Sequence, residues 1–460
     1  MRIKSLNVAK LHDLYDYEVL FNSDLTFIYG KNGCGKTTIL NILSAIVSGR
    51  IYDLFAWSFD KIVLKYYDDS DPQSKEFSIR ISHKAENICV EFKNREQTLN
   101  KESFMRFFDD SDTPDEVFHF MSDKYSILAS IKEEFNYIYL PLNRSIPCSE
   151  MSFNYRRRIR GSRHYFTYAD YSDGKTISDD EIAKTVDLVK RRHAEASAEV
   201  LAINNNFRDK LLQSLLTANL HVSDTEFMKT LFKTMEIGNV EEIQTEYLKL
   251  LDSFGLLDDN TKEESQSFFN WFKSTLEQVR TRFASEEKGK RTMPVSFAYA
   301  CNGIEKMRSI TSLAKEMEKT KLKAYDRINV FLETINSFFS FDGEKMVSID
   351  ETGDIRFEIN HGNNYIPPAG LSSGEKQLFI FFANLVFNVE KDKSSIFIID
   401  EPELSLHLHW QKMFVEKAMS VNGNMQFILA THSPEIVCSY RDKMNKLVKK
   451  EAYNVSTQEA

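Results

Sequence analysis

The chain has 460 residues, 42% of them hydrophobic and 28% charged, a length that suits roughly two to four structural units around a large core. This composition excludes collagen-like, disordered and disulfide-stabilised small proteins. With 59 Lys and Arg against 68 Asp and Glu, the net charge is -9. General electrostatic attraction to nucleic acid is therefore excluded, and any contact with phosphate must come from a local site.

The five cysteines are scattered and show no CxxC spacing, which indicates a reducing compartment and argues against a zinc site. The N-terminus lacks the apolar segment of a secretion signal, and no uncharged apolar stretch is long enough to span a membrane. We therefore expect a cytoplasmic protein without membrane contact.

The first 30 residues predict three short strands, RIKSLNV, YEVLF and LTFIYG, and the helix TTILNILSAIV follows soon after. Between the third strand and the helix, GKNGCGKT at 30–37 fits the pattern GxxxxGK(S/T). Small residues in such a loop let backbone N–H groups surround phosphate oxygens at the positive end of the helix. In this pattern Lys36 reaches the β- and γ-phosphates, and Thr37 holds Mg²⁺. The predicted phosphate-binding residues are Gly30, Asn32, Gly33, Cys34, Gly35, Lys36, Thr37 and Thr38.

The next segments, DKIVLKYYD, FSIRIS and NICVEF, alternate apolar and polar residues as an antiparallel meander does, and YIYLPLN predicts a core strand. From about 178 to 340 the pattern becomes helical, interrupted by EIGN, LLDDN and EEKGKRTMP. The longest unbroken helical piece is about 36 residues, so we expect a helical insertion and no long coiled-coil arm. KMVSIDETGDIRFEI then predicts a hairpin that turns at 352–354.

Two carboxylates follow the continuous apolar run IFII at 396–399. Such a run predicts a central parallel strand, whose end would present Asp400 and Glu401 beside the phosphate loop. In phosphoryl transfer one carboxylate holds Mg²⁺ and a neighbouring one can accept a proton from the attacking water. We assign Asp400 to the metal and Glu401 to the general base.

Two further turns complete the pattern. LSSGEKQ at 371–377 is a small-residue turn that opens an apolar helix, and it predicts a second anion site at Ser372, Ser373, Gly374 and Glu375. ATHSP places His432 after another apolar strand, where it could contact the γ-phosphate, although a lone histidine is more often an ordinary core residue.

These four elements, in this order, resemble the ATPase head of the ABC superfamily, in its SMC-like and OLD-like branch. Lys36 and Thr37 match the Walker A motif, Asp400 and Glu401 match Walker B, and His432 matches the switch histidine. Residues 372–375 match the signature, and 404–407 match the D-loop. The resemblance implies an ATPase in which Lys36, Glu401 and His432 are catalytic. It also implies an α/β fold, a mixed sheet with an antiparallel β subdomain that carries a large helical insertion.

The implied domains are the first part of the head at 1–145, the helical insertion at 146–340, the second part of the head at 341–446 and a flexible tail at 447–460. The resemblance further implies a head-to-tail homodimer, with ATP and Mg²⁺ between one Walker A motif and the partner's Ser372 loop, and a higher oligomer beyond it. The chain departs from transporters in reading LSSGE instead of LSGGQ. Its Q-loop glutamine is not clear, with Gln73 and Gln97 as weak candidates.

The spacing of the motifs indicates which branches of the superfamily the chain differs from. More than 330 residues separate Thr37 from Leu371, unlike transporter ATPases, and the sustained heptads of chromosomal SMC proteins are absent. Only 28 residues follow His432, too few for the nuclease domain of OLD-type enzymes, so we expect a separate effector.

The sequences DEPELSLH and ATHSP most resemble those of the bacterial anti-phage ATPases, the PtuA family of Septu and related retron systems. That resemblance implies partnership with an HNH nuclease (PtuB-like) that attacks DNA. Two alternatives stay open: a RecF-like DNA repair clamp, and a scaffold that binds ATP but barely hydrolyses it. An arginine-rich stretch at 156–163 is a candidate DNA contact or a solvated loop. His407 and His409 do not stand at the spacing of a metal site, and Cys34 could be redox-sensitive, although a small filler residue is the simpler interpretation.

Overall fold

The structure, a computed structural model, describes residues 1–69, 75–108, 114–140, 179–217, 240–285, 294–340, 345–350, 352–359, 364–389 and 394–451. The strands are β1 (Arg2–Leu11), β2 (Tyr15–Leu20), β3 (Leu25–Tyr29), β4 (Lys61–Tyr67), β5 (Glu76–Lys84), β6 (Asn87–Phe92), β7 (Arg95–Asn100), β8 (Asn136–Leu140), β9 (Lys345–Ile349), β10 (Ile355–Ile359), β11 (Asn364–Ile366), β12 (Ser395–Asp400), β13 (Met425–Ala430), β14 (Met444–Lys446) and β15 (Lys450–Glu451). The α-helices are α1 (Lys36–Val47), α2 (Lys101–Phe108), α3 (Pro114–Lys124), α4 (Ser126–Glu134), α5 (Asp179–Thr217), α6 (Val240–Ser253), α7 (Asp259–Ser285), α8 (Val295–Phe339), α9 (Ser373–Phe387), α10 (Leu408–Val421) and α11 (Pro434–Val437).

A five-stranded parallel sheet has the order β14-β3-β13-β12-β8. Every residue of β12 and β13 is buried, as expected for central strands that are covered on both faces. Asp400 pairs with Ala430, and Ala430 pairs with Ile28. The carboxyl ends of β3, β13 and β12 therefore meet at one edge of the sheet.

A seven-stranded antiparallel sheet has the order β15-β2-β1-β4-β5-β6-β7, and it contains the predicted meander. Gln426 of β13 is fully buried and joins the two sheets. Its Nε2 donates to the carbonyl oxygens of Ile3 and Asn22 at 2.7 Å, and its Oε1 accepts from the N–H of Ile3. The last strand, β15, lies inside the stretch 447–460 that we expected to be a flexible tail. It pairs with β2, so the start of this stretch belongs to the antiparallel sheet.

Two helices fill the core around the parallel sheet. Helix α1 buries most of its length, and α9 is buried at every residue from Leu378 to Phe387. A helix that is apolar on all sides is stable only inside a protein, so α9 forms an inner layer of the core. Phe381 of this helix packs against Phe397 of β12 and Phe414 of α10, with ring centroids 5.2 and 4.4 Å apart. The predicted hairpin forms β9 and β10, which join β11 in a small antiparallel sheet.

The chain divides into two compact units, one of Met1–Arg192 with Ile328–Ala460 and one of His193–Arg327. The second unit is shorter than the predicted insertion at 146–340. Its helices enclose a core of their own, which includes Phe269, Phe272, Phe297 and Ile304. The predicted α/β class, with an antiparallel sheet and a large helical region, is confirmed.

The predicted limit on helix length is wrong. Helix α8 has 45 residues and α5 has 39, compared with the expected 36 or so. Gly303 lies inside α8 with open space around it, and a single glycine in a helix costs only about 1 kcal/mol, which the rest of the helix easily offsets. None of the helices in the described ranges has the combined length and hydrophobicity that a membrane span requires. The arginine-rich stretch at 156–163 lies outside the described residues, as does Gln73.

Candidate nucleotide site

The predicted phosphate loop, residues 30–37, joins β3 to the start of α1. Gly35 precedes the helix in the left-handed region, at φ 100° and ψ 17°, where only glycine is free of strain. A Cβ atom there would also lie 2.9 Å from the hydroxyl of Tyr17. That hydroxyl donates to the carbonyl oxygen of Cys34 at 3.1 Å, and burial raises the pKa of Tyr17 to about 12, so it remains a donor at neutral pH. Tyr17 thus fixes the end of the loop.

The other residues of the loop differ in how far they are exposed to solvent. Asn32 and Gly33 are exposed, while Thr37 and Thr38 are partly buried in the first turn of α1. Cys34 is buried, and its sulfur lies 2.6 Å from where a Cβ of Gly30 would stand, which explains the small residue at that position. Backbone N–H groups at the start of a helix attract anions, so the loop is open to a phosphate group.

Three predicted catalytic side chains meet at the edge of the parallel sheet. Lys36 is almost fully buried, and its Nζ contacts Nε2 of His432. The same Nε2 lies 3.5 Å from Oε1 of Glu401. The structure therefore brings together a cation, an imidazole and a carboxylate from α1, from the turn after β13 and from the end of β12.

Asp400 lies beneath this group, with 2% of its surface exposed. Within the described ranges no hydrogen bond of regular geometry reaches either carboxylate oxygen. Burial raises the pKa of Asp400 to about 6, against the hydroxyl of Thr37 and the charge of Lys36, which lower it. A buried carboxylate with unpartnered oxygens next to a threonine hydroxyl fits a hard divalent cation such as Mg²⁺, which prefers oxygen ligands.

Sequence reasoning missed Glu403, which follows the Asp-Glu-Pro triplet at 400–402. Its Oε1 accepts hydrogen bonds from the N–H groups of His432 at 2.6 Å and Ser433 at 3.1 Å. Gln411, also missed, donates to the carbonyl oxygens of Glu403 and Leu406 and accepts from the hydroxyl of Ser433. A second acid within two residues of the Walker B pair was the available signal for Glu403; Tyr17 and Gln411 had none.

Two residues of the predicted second anion site at 372–375, Ser372 and Glu375, stabilise the start of a helix. Ser372 caps α9: its hydroxyl accepts from the N–H of Glu375, whose carboxylate accepts from the N–H of Ser372. Burial acts to raise the pKa of Glu375, but the hydrogen bonds from Lys345 and Ser372 outweigh it and hold that pKa below its ordinary value. Ser372 and Ser373 remain exposed.

Gly374 packs against residues 404–407 of the same chain, the predicted D-loop. A Cβ atom on Gly374 would lie 2.3 Å from the carbonyl oxygen of Ser405, so no larger residue fits without movement. Gln377 adds a hydrogen bond from its Nε2 to the carbonyl oxygen of Pro402 at 3.2 Å. The turn before α9 and the loop after β12 are therefore packed tightly against each other.

Other candidates have ordinary structural partners. Oε1 of Gln97 accepts from the N–H of Ile127 at the start of α4. His407 caps α10 by accepting from the N–H of His409. No cluster of three or more metal-ligating side chains occurs among the described residues.

Residues 1–437 match the family described as the AAA ATPase domain. The chain belongs to that family. It is therefore an ATPase and binds a nucleotide, which agrees with the meeting of Lys36, Glu401 and His432.

This AAA ATPase is similar to three bacterial proteins over part of its length. It is 24% identical to the Retron Ec83 probable ATPase of Escherichia coli, over 46% of this chain and 44% of that one. It is 26% identical to the Retron Vc95 probable ATPase of Vibrio cholerae, over 39% of this chain and 38% of that one. It is also 24% identical to the Endonuclease GajA of Bacillus cereus, over 56% of this chain and 42% of that one. Each match covers less than half of the relative.

Among solved structures, this AAA ATPase is similar to Smc head domains. The head with an extended coiled coil bound to the C-terminal domain of ScpA, from Pyrococcus furiosus, is 14% identical, with a TM-score of 0.40 and coverage of 98% of this chain and 96% of that one. An Smc head bound to the C-winged helix domain of ScpA is 11% identical, with a TM-score of 0.41 and coverage of 98% of each chain.

Proposed function

We propose that this ATPase is the ATP-dependent control subunit of a bacterial anti-phage defence system and regulates a separate HNH nuclease that attacks DNA. The observation that carries the ATP-dependent part is the meeting of Lys36, His432 and Glu401 above the buried, unpartnered Asp400. This set contains the phosphate-binding cation, the metal ligand and the base that phosphoryl transfer requires.

The roles follow from the positions. Lys36 and the backbone N–H groups at 30–37 bind the β- and γ-phosphates. Thr37 and Asp400 would hold Mg²⁺, which when bound supplies positive charge against the phosphate oxygens. Glu401 accepts a proton from the attacking water, and His432 contacts the γ-phosphate. Glu401 and His432 lie close enough to act on the same phosphate group.

Nucleotide-driven dimerisation is the proposed means of control. The exposed faces of Ser372 and Ser373 would complete the ATP site of a second copy in a head-to-tail dimer. Leu404 in the proposed D-loop and Leu408 at the start of α10 support this arrangement, because they are 41% and 60% exposed. Apolar side chains beside the site favour burial against a partner. We propose that such dimers build a higher oligomer in the cytoplasm.

The similarity to two retron ATPases and to an endonuclease supports the choice of a defence system and of a nuclease partner. PtuB-like HNH nucleases are the proposed partner class. Contact with DNA is proposed only through the complex, because the chain carries a net charge of -9.

The test is a pull-down of the tagged protein from its native cells, with and without ATP, followed by mass spectrometry and light scattering. Glu401→Gln should hold the ATP-bound state and enrich the partner. Glu435→Gln, at a partly exposed carboxylate that pairs with Lys412, is the matched control and should behave like wild type. Recovery of an HNH nuclease in an assembly larger than a dimer supports the proposal. A lone dimer that carries DNA and no nuclease would instead favour a RecF-like repair clamp.

A further inference from the structure

We propose that Glu403 is a positioning residue for ATP hydrolysis, which holds His432 between Lys36 and Glu401. The inference rests on the proposed contact of His432 with the γ-phosphate. It assigns a role to a carboxylate that neither holds the metal nor accepts a proton from water.

One oxygen of Glu403 fixes the backbone that carries the histidine. Oε1 accepts from two successive N–H groups, those of His432 at 2.6 Å and Ser433 at 3.1 Å. Hydrogen bonds to an ionised acceptor are roughly twice as strong as those between neutral groups. Two such bonds to adjacent residues fix both the position and the direction of this turn. The imidazole of His432 is thereby held where its Nε2 contacts Lys36 and lies 3.5 Å from Glu401.

Gln411 extends the same network to the D-loop. Its Nε2 donates to the carbonyl oxygen of Leu406 at 2.9 Å and to that of Glu403 at 3.3 Å. Its Oε1 accepts from the hydroxyl of Ser433 at 2.7 Å. The D-loop and the histidine turn are therefore joined through both side chains, Glu403 and Gln411. A displacement of the D-loop on dimer closure would be passed directly to His432.

A purely structural role must be separated from positioning, because Ser433 also caps the short helix α11 by accepting from the N–H of Glu435. A structural role would lower the melting temperature and would act independently of the imidazole. A positioning role would act only while the imidazole is present. A double-mutant cycle between Glu403 and His432 distinguishes the two, because residues that act as a unit have non-additive effects.

The experiment measures ATP binding, single-turnover phosphate release and melting temperature for the full chain. Four proteins form the cycle: wild type, Glu403→Ala, His432→Ala and the double variant. We expect Glu403→Ala to slow phosphate release about 10- to 100-fold in the wild-type background, with ATP affinity changed far less. In the His432→Ala background the same change should slow release by less than about twofold.

Two conservative variants protect the test against misfolding. Glu403→Gln keeps an oxygen that can accept both N–H groups and should retain most of the activity. Glu403→Asp keeps the charge but withdraws the carboxylate by one methylene, and should be slow although folded. Glu435→Ala, at a partly exposed neighbour that pairs with Lys412, is the matched control and should be unchanged.

The outcomes separate this inference from the proposed role of His432. If His432→Ala hydrolyses ATP at the wild-type rate, the proposed contact with the γ-phosphate fails, and the inference fails with it. If His432→Ala is slow but Glu403→Ala slows both backgrounds equally, only the positioning role of Glu403 is overturned.

Discussion

Glu401 occupies a backbone conformation that few non-glycine residues adopt, with φ at 46°. A non-glycine residue in this region costs of order 1–3 kcal/mol, which the surrounding contacts must offset. Its N–H donates to the carbonyl oxygen of Ala430 at 2.8 Å, so the chain turns sharply just after β12 while it stays attached to β13. The turn brings the carboxylate to within 3.5 Å of His432. Strain at this residue therefore serves the geometry of the site.

The variant Glu401→Gln keeps the size and the backbone conformation of this residue but removes its basicity. We expect ATP binding to be retained and turnover to fall by at least about 100-fold, which is the usual contribution of a general base. Phosphate release and fluorescence titration of a nucleotide analogue would measure the two quantities. Turnover within threefold or so of wild type would contradict the role given to this carboxylate.

Asp400 predicts a specific dependence of stability on pH. Its folded pKa of about 6 lies above the ordinary value of 3.8, so the folded state holds the proton more tightly than the unfolded state. Its contribution to stability is therefore favourable below the ordinary pKa and is lost as the pH rises through about 6. Without metal, Asp400→Asn should stabilise the protein by up to about 3 kcal/mol at pH 7.5, and by less at pH 5.

Thermal melts of the wild type and of Asp400→Asn at the two pH values, in a chelating buffer, would measure this difference. Added Mg²⁺ and ATP should stabilise the wild type more than the variant, because the variant keeps the phosphate loop but lacks the carboxylate ligand for the metal. A variant that is less stable than wild type at pH 7.5 without metal would contradict the electrostatic cost assigned to Asp400.

The site residues predicted from the sequence follow local patterns, whereas those that were missed are defined by contacts between distant parts of the chain. Lys36, Asp400, Glu401 and His432 each follow a predicted strand, and the parallel order of the strands brings them to one edge. Glu403 acts through the backbone N–H of His432, 29 residues further along the chain, and Gln411 reaches the side-chain hydroxyl of Ser433, 22 residues away. Tyr17 likewise reaches a carbonyl group 17 residues further along. Such contacts depend on tertiary packing, for which local pattern gives no signal.

At the scale of elements, the strand predictions followed from apolar runs and alternation, and the two larger sheets contain the strands expected of them. Two element boundaries were harder to predict. Helix α8 continues through Gly303 without a break, and the short strand β15 has only two residues, too few to produce a pattern. The pairing of β15 with β2 depends on the antiparallel sheet that is already present.

The close packing of α9 against the D-loop gives a prediction for these two elements. Gly374→Ala would place a Cβ atom 2.3 Å from the carbonyl oxygen of Ser405, so the helix or the loop must move. We expect a loss of about 1–3 kcal/mol in the free energy of unfolding, measured by chemical denaturation. Gly423→Ala is the matched control, because nothing lies within 4 Å of the added atom. Equal stability of the two variants would contradict the packing described for this pair of elements.

At the scale of the whole molecule, the proposed function depends most on the head-to-tail dimer. We expect Glu401→Gln with ATP to reach at least twice the monomer mass by light scattering, and to remain a monomer without nucleotide. Adding Ser373→Arg places a bulky charge on the exposed start of α9, which should abolish dimerisation while ATP still binds the monomer. Ser420→Arg, at an exposed position of α10, is the matched control and should still dimerise. Because only the head-to-tail arrangement buries Ser373 against the partner's nucleotide, a dimer that tolerates Ser373→Arg would require a different interface and would remove the proposed role of residues 372–375 in ATP binding.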